Sequence, residues 1–127
     1  MKRALMVSLT LLAASAARAD GYEEHDYILN CSGCHRMDGT GSSTVPSLRA
    51  MKELAGKPGA RAYWVQVPGA AQAPLPDARL AALMNWLVKR FTGKPPTPSY
   101  TAEEVRKLRS SPLRAPVRRR SEIRTGR

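Results

Sequence analysis

The sequence predicts a small all-α protein in which two main helices are joined by long glycine- and proline-rich loops. A chain of 127 residues has the length of one small domain. Residues 77–91 place leucines, a methionine and a phenylalanine on one helical stripe, which indicates an amphipathic helix packed on a core. Residues 20–30 begin with acidic side chains, which suit the positive end of a helix dipole. The sequence has no long apolar span, so a multi-pass membrane protein is not expected.

Residues 1–19 have the pattern of a secretory signal peptide. Lys2 and Arg3 precede an uncharged stretch, and small residues occupy the −3 and −1 positions of a cleavage point after Ala19. A retained membrane anchor is the alternative, but the apolar run is shorter than the roughly 18 residues that a spanning helix needs. The mature chain is therefore expected to begin at Asp20 and to work in the periplasm.

The main chemical signal is a CxxCH motif, Cys31-Ser32-Gly33-Cys34-His35. This spacing is typical of covalent haem c attachment, with a thioether from each thiol and an axial iron bond from the histidine. Three alternatives remain. A zinc site would need more ligands, and His25 is the one further histidine. A thiol–disulfide catalyst would need a βαβ context, and an ordinary periplasmic disulfide is the third. The signal peptide together with the motif favours haem.

The residues after this motif resemble the class I cytochrome c family. They run His35-Arg36-Met37-Asp38-Gly39-Thr40-Gly41 and then Pro46-Ser47-Leu48, which is similar to the family pattern CxxCHxxDGxG followed by PxL. The resemblance covers about residues 22–91. It implies an all-α fold in which the first and last helices clasp one covalent haem c. It also implies that the carbonyl of Pro46 accepts a hydrogen bond from the ring of His35, a contact that fixes the tautomer.

The two main helices frame the predicted haem domain, residues 20–93. Tyr27 and Ile28 of the first helix are expected to face inward. The last helix is expected to have Asp77 as its cap and to stop at Gly93.

Glycines and prolines between these helices predict mainly loop, with one short helical or extended piece near residues 63–67. A domain this small has a marginal protein core, so the haem is expected to supply hydrophobic mass. Arg61, Tyr63 and Trp64 are candidate hydrogen-bond donors to a haem propionate, although packing and solvent exposure are the ordinary roles of such residues.

The distal iron ligand is missing from the place that the resemblance implies. Class I cytochromes supply a methionine from the loop before the last helix, and here that loop, residues 67–75, contains none. Met51 is the first candidate for this ligand, followed by Met84 and His25. Water, Gln72 and an empty position are the other options. A thioether ligand raises the reduction potential, whereas an open position permits small-ligand binding.

The formal charge of +11 is confined to the two ends of the chain. Residues 1–19 carry three bases and no acid, residues 20–104 carry nine of each, and residues 105–127 carry nine bases and one acid. Residues 94–127 are expected to be a proline-rich linker and a basic, disordered tail, because their composition buries little apolar surface. Thr101 is expected to cap a short helix within this tail.

These features predict a periplasmic one-electron carrier, not an enzyme. Cys31 and Cys34 would hold the haem, His35 would bind its iron, and Pro46 would orient His35. The expected partners are redox proteins, acidic ones above all, with a weak contact between the tail and an anionic membrane surface. Nucleic acid is not expected, because the chain is predicted to be exported. The alternatives are a haem ligand-binding or sensor module with an open distal site, and a cytochrome subunit docked on a larger redox enzyme.

Overall fold

The structure, a computed structural model, describes residues 21–127, which form helices joined by loops. These residues contain no β-strand, which confirms the prediction of an all-α protein. The predicted signal peptide, residues 1–19, lies outside the described residues. No helix in the described part of the chain is long and apolar enough to cross a membrane. The α-helices are α1 (Glu23–Asn30), α2 (Ser32–His35), α3 (Met51–Leu54), α4 (Ala60–Gln66), α5 (Pro68–Ala71), α6 (Asp77–Thr92), α7 (Ala102–Arg109) and α8 (Pro116–Thr125), and a 3-10 helix, Leu48–Ala50, precedes α3.

Helix α6 forms the centre of the core. Its apolar stripe lies where the sequence predicts, and the buried members are Leu80, Leu83, Met84 and Leu87. The helix ends at Gly93, whose φ of 82° is the left-handed conformation that glycine adopts without strain. Its start differs from the prediction. Pro76 is the N-cap and Asp77 is the first helical residue, so the carboxylate of Asp77 pairs with Arg109 instead of capping the helix.

Helix α1 packs against α6 through one aromatic side chain and one ion pair. Tyr27 is buried, as predicted, and its ring centroid lies 5.6 Å from that of Trp86. Asp26 is also buried, and its carboxylate accepts two hydrogen bonds from the guanidinium of Arg79 on α6. The prediction for Ile28 is wrong, since this side chain is 43% exposed. The contact face of α1 includes Asp26 and Tyr27, and position 28 lies about 100° further around the helix axis, outside that face.

The glycine- and proline-rich segment between α1 and α6 is more helical than predicted, because it contains α3, α4 and α5. Gly59 precedes α4 with a φ of 84°. Pro68 occupies the first turn of α5, where its missing N–H leaves no hydrogen bond unmade. At these two places the helix-breaking residues mark the starts of helices instead of loops.

The C-terminal segment is folded, which corrects the prediction of a disordered tail in residues 94–127. Residues 94–99 are non-helical, in line with a linker, and Thr101 caps α7 by accepting a hydrogen bond from the N–H of Glu104 at 3.2 Å. The prediction used the average composition of the segment. A segment that is polar on average can still fold when a few of its apolar side chains are spaced so that they reach the core of the protein. The apolar residues of this segment that are buried are Tyr100, Val105 and Ile123.

Polar contacts also hold α7 and α8 on the rest of the protein. Arg61 of α4 donates two hydrogen bonds to the carboxylate of Glu104 on α7, at 2.6 and 2.7 Å. Arg109 of α7 donates to the backbone carbonyls of Ala71, the last residue of α5, and of Ala73 and Leu75 in the connection between α5 and α6. Lys57 donates to the carbonyl of Arg124 at 2.7 Å, near the C-terminal end of α8. The two C-terminal helices therefore belong to the same folded unit as the predicted haem domain.

Candidate functional site

An apolar cavity of about 310 Å³ lies between the CxxCH motif and helix α6. Cys31, Cys34 and His35 contribute to its wall. Its volume is at the lower end of the range of small-molecule and cofactor sites, which are mostly apolar with a few placed polar groups. The valine and leucine side chains in the wall are Val45, Leu48, Leu54, Val67, Leu80, Leu83, Leu87 and Val117.

The CxxCH motif begins at Cys31, the cap residue between α1 and α2, and continues through α2. The N–H of Cys31 donates to the carbonyl of Tyr27 and the N–H of His35 donates to the carbonyl of Cys31, both at 2.9 Å. Both thiols are free, with Cys31 half-buried and Cys34 exposed. Burial, with smaller contributions from Asp26 and Cys34, raises the pKa of the Cys31 thiol to about 11, so this thiol is protonated at neutral pH.

The ring of His35 is oriented by a backbone carbonyl. Its Nδ1 lies 3.0 Å from the oxygen of Pro46. A carbonyl can only accept, so Nδ1 carries the proton and Nε2 keeps its lone pair. Burial lowers the pKa of His35 more than the hydrogen bond to Pro46 raises it, which favours the neutral ring. A neutral imidazole with a free Nε2 lone pair is the form in which histidine binds a metal.

Two glycines shape the loop that brings Pro46 to His35. Gly39 and Gly41 have φ values of 75° and 71°. A side chain at position 41 would collide with the backbone carbonyl oxygens of Val45 and Pro46. Only glycine therefore fits at position 41 while the carbonyl of Pro46 stays where it holds the His35 ring.

The structure separates the candidates for the distal ligand into two groups. Met51 and Met84 both line the cavity and are buried, with exposed fractions of 5% and 2%. His25 and Gln72 are exposed and do not line the cavity. The two methionines are thus the sequence candidates that share a cavity with His35.

The wall also contains residues that the sequence did not predict. Pro116, Val117 and Arg120 of α8 line the same cavity as the CxxCH motif. Val117 is 77% exposed although it is apolar, and it lies where an occupant of the cavity would cover it. No local pattern links α8 to a motif so far back in the chain. The proline at the start of α8 was the one available signal, since proline is favoured in the first turn of a helix.

The three predicted propionate donors lie in different surroundings. Tyr63 and Trp64 of α4 line the cavity. Arg61 does not, because its guanidinium donates to Glu104 and to the carbonyl of Pro98 and stacks over the ring of Tyr100. The first two remain available to an occupant of the cavity, whereas Arg61 serves the packing of α4 on α7.

The donor set fits haem c. Two free thiols and a histidine with an available Nε2 lie on the wall of a cavity whose remaining surface is largely apolar, as a porphyrin requires. Within residues 21–127 no three histidine, cysteine, aspartate or glutamate side chains are grouped as ligands of a metal ion. This part of the chain therefore offers no zinc site of that kind. No model of a known protein family and no curated protein matches this chain.

Proposed function

We propose that this protein is a one-electron carrier of the class I cytochrome c type with a single covalent haem c. One observation carries the proposal. Cys31, Cys34 and His35 line an apolar cavity while Pro46 fixes the histidine tautomer at an Nδ1 to oxygen distance of 3.0 Å. A thiol pair alone is compatible with a disulfide, whereas an oriented histidine beside an apolar cavity favours the haem interpretation.

Each residue of the motif has a defined role in this proposal. Cys31 and Cys34 would hold the haem through thioether bonds, because a thiol adds across a vinyl double bond with its sulfur on one carbon and its hydrogen on the other, so no atom leaves. His35 would offer Nε2 to the iron, and the carbonyl of Pro46 holds the ring in that orientation. Haem c bound there supplies one-electron iron chemistry. The aliphatic wall excludes water and keeps the surroundings of low polarity, which tunes the reduction potential.

The proposal includes a redox partner and a place of action. A signal peptide on residues 1–19 would export the chain to the periplasm. Basic side chains of α8, such as the exposed Arg118 and Arg124, would attract an acidic redox protein and, weakly, an anionic membrane surface. Because α7 and α8 are packed on the rest of the protein, charge substitutions on α8 test partner binding better than deletion of the tail.

Covalent attachment is the direct test of this proposal. We expect wild-type protein, exported from a host that assembles c-type cytochromes, to keep its haem after denaturation and extraction with acidified acetone. The double variant Cys31→Ala/Cys34→Ala should lose all covalent haem, whereas the control Ser32→Ala should keep it, because Ser32 lies between the thiols and supplies no ligand. A wild-type protein that folds without covalent haem would show the proposal to be wrong.

The segment before α6, which consists of helix α5 and the loop after it, supports a second candidate, a haem ligand-binding module with an open distal position. Gly69 and Ala70 of α5 and Ala73 of the loop line the cavity and offer no ligand atom. Rapid, single-phase carbon monoxide binding to the reduced protein would support this candidate. A slow phase that Met51→Ala or Met84→Ala abolishes would instead identify that methionine as the sixth ligand of a carrier.

A further inference from the structure

Three polar side chains on the cavity wall have no acceptor in the described part of the chain. They are Tyr63 and Trp64 on α4 and Arg120 on α8. None of them donates a hydrogen bond to another side chain or carbonyl in residues 21–127, and their polar atoms stay accessible, since no buried side-chain nitrogen or oxygen in this part of the chain lacks a partner. Their shared property is that all three can donate hydrogen bonds and that they lie on one otherwise apolar surface.

Arg120 differs from the other arginines near it on α8. Arg118 and Arg119 both pair with Glu122, at 3.6 and 3.2 Å. Arg124 is exposed to solvent. Arg120 is half-buried in the cavity wall and takes part in no ion pair within residues 21–127. A guanidinium that is partly removed from water without a partner is unfavourable, so this position suits an anion supplied from outside the polypeptide.

Tyr63 lines the same cavity as Arg120. Its side chain is 6% exposed, and the charge of Arg120 lowers its pKa while the larger effect of burial raises it. The net effect keeps the phenol protonated at neutral pH, so it can donate a hydrogen bond. A guanidinium and a phenol at one place provide charge and directed donors for the same anionic oxygen.

We propose that Arg120, with Tyr63 and Trp64, forms an anion site that takes a carboxylate inside the cavity. The inference rests on the proposed function, because a haem carries two propionates that must find polar partners in an apolar surrounding. A small free carboxylate has the same chemistry and is the other source of the anion. In either case α8 is part of the binding site and not an appendage to it.

The test compares Arg120→Gln with Arg124→Gln in the full-length haem-loaded protein. Both variants remove one positive charge from α8, but Arg124 is exposed and does not line the cavity. Arg120→Lys is included because it keeps the charge, and circular dichroism establishes that each variant is folded. The readouts are the reduction potential and the change in the ferric absorption spectrum on titration with acetate.

A propionate partner predicts that Arg120→Gln lowers the equilibrium constant for reduction about tenfold, which is about 59 mV for one electron. The loss of a nearby positive charge leaves the propionate unneutralised and favours ferric iron. Arg124→Gln should change the constant less than about twofold because exposed charges are screened, and Arg120→Lys should restore most of the loss.

A free carboxylate as the anion predicts instead that wild type binds acetate and that Arg120→Gln abolishes this binding. Equal potentials and equal acetate responses in Arg120→Gln and Arg124→Gln would overturn the inference while leaving the haem carrier intact. Protein without covalent haem would contradict the proposed function. The acetate titration, followed by tryptophan fluorescence, would then decide on the anion site alone.

Discussion

The cavity wall that carries the CxxCH motif and the wall contributed by α8 are held in different ways. His35 and the carbonyl that orients it are eleven positions apart in the chain. Lys57, which anchors the end of α8, is sixty-seven positions from its acceptor. Contacts of the first kind follow from a short run of residues, whereas contacts of the second kind exist only once the chain has folded back on itself. This difference explains why a sequence motif predicts the first wall, whereas no short stretch of sequence predicts that α8 forms the second.

The two walls also differ in charge. Residues 20–104, which include the motif, carry as many acidic as basic side chains, whereas residues 105–127 carry nine bases and one acid. Some of these basic side chains stabilise the fold. Arg109 donates hydrogen bonds to the connection between α5 and α6, and Arg119 pairs with Glu122. The rest faces solvent or, for Arg120, the cavity. A basic segment is therefore not in itself a sign of disorder.

The largest effect is expected from breaking the packing of α8. Ile123 is 4% exposed and packs with Leu54, Ala60 and Tyr63. Ile123→Ala should lower the free energy of unfolding by about 2–5 kcal/mol, because it removes buried contacts and leaves a cavity. Urea unfolding followed by circular dichroism measures this change.

Leu29→Ala is the control for that experiment, since Leu29 is 68% exposed. It should change the free energy of unfolding by no more than about 0.5 kcal/mol. Equal effects of the two substitutions would show that α8 does not pack as described.

A smaller effect is expected from breaking the motif wall at its loop. Gly41→Ala places a side chain against the carbonyls of Val45 and Pro46 at a φ of 71°. It should lower the free energy of unfolding by about 1–3 kcal/mol and displace the carbonyl that holds His35. The unfolding curve and the Nδ1–H resonance of His35 report these two consequences separately.

Gly69→Ala is the matched control, because a Cβ there meets no atom within 4 Å and the position is helical. It should stabilise the protein by roughly 0.5 kcal/mol or leave it unchanged. If Gly41→Ala behaved like Gly69→Ala, the close approach of this loop to position 41 would be refuted.

The smallest effect concerns the ion pair that joins α4 to α7. The guanidinium of Arg61 lowers the pKa of Glu104 below its ordinary value of 4.5. A lowered pKa in the folded state means that the pair stabilises the protein above pH 4.5 and that this contribution is lost as the pH falls through the folded-state pKa. Glu104→Gln should therefore flatten the loss of stability between neutral pH and acid.

Urea midpoints of wild type and Glu104→Gln across that pH range measure the effect, with Glu103→Gln as the exposed neighbouring control. The difference between the two variants should shrink at high salt, because both partners are partly exposed. A wild-type pH profile identical to that of Glu104→Gln would show that this pair does not contribute to the joint between the helices.

Sequence reasoning succeeded where local physical rules apply. The apolar stripe of α6, its stop at Gly93 and the cap of α7 at Thr101 each follow from a few neighbouring residues. It failed for Asp77, because a carboxylate next to a proline N-cap found a partner on α7 instead of a backbone N–H. It failed for Ile28, because the choice between neighbouring helical positions depends on where α6 lies.

The residues of the candidate site also fall into those that the sequence predicts and those that only the packing of the helices reveals. The motif residues could be named from their spacing and chemistry, and Pro46 could be named from the resemblance to class I cytochromes c. Arg120 could not be named, because in the sequence it is one arginine in a run of three and its place on the wall depends on the packing of α8. The structure was also needed to show that Met51 lies in the cavity wall whereas His25 is exposed.

The sequence by itself determined the helical class, the central amphipathic helix and the CxxCH motif. These features rest on helix periodicity, capping and the reach of a few residues, which are properties of the local chain. Only the tertiary structure decided that the basic C-terminus folds, that α8 closes part of the cavity and that Arg120 lies there without an acidic partner in the described residues. The physical reason is that burial is decided by surfaces that meet from distant parts of the chain, and composition records how much apolar surface a segment has but not what it meets.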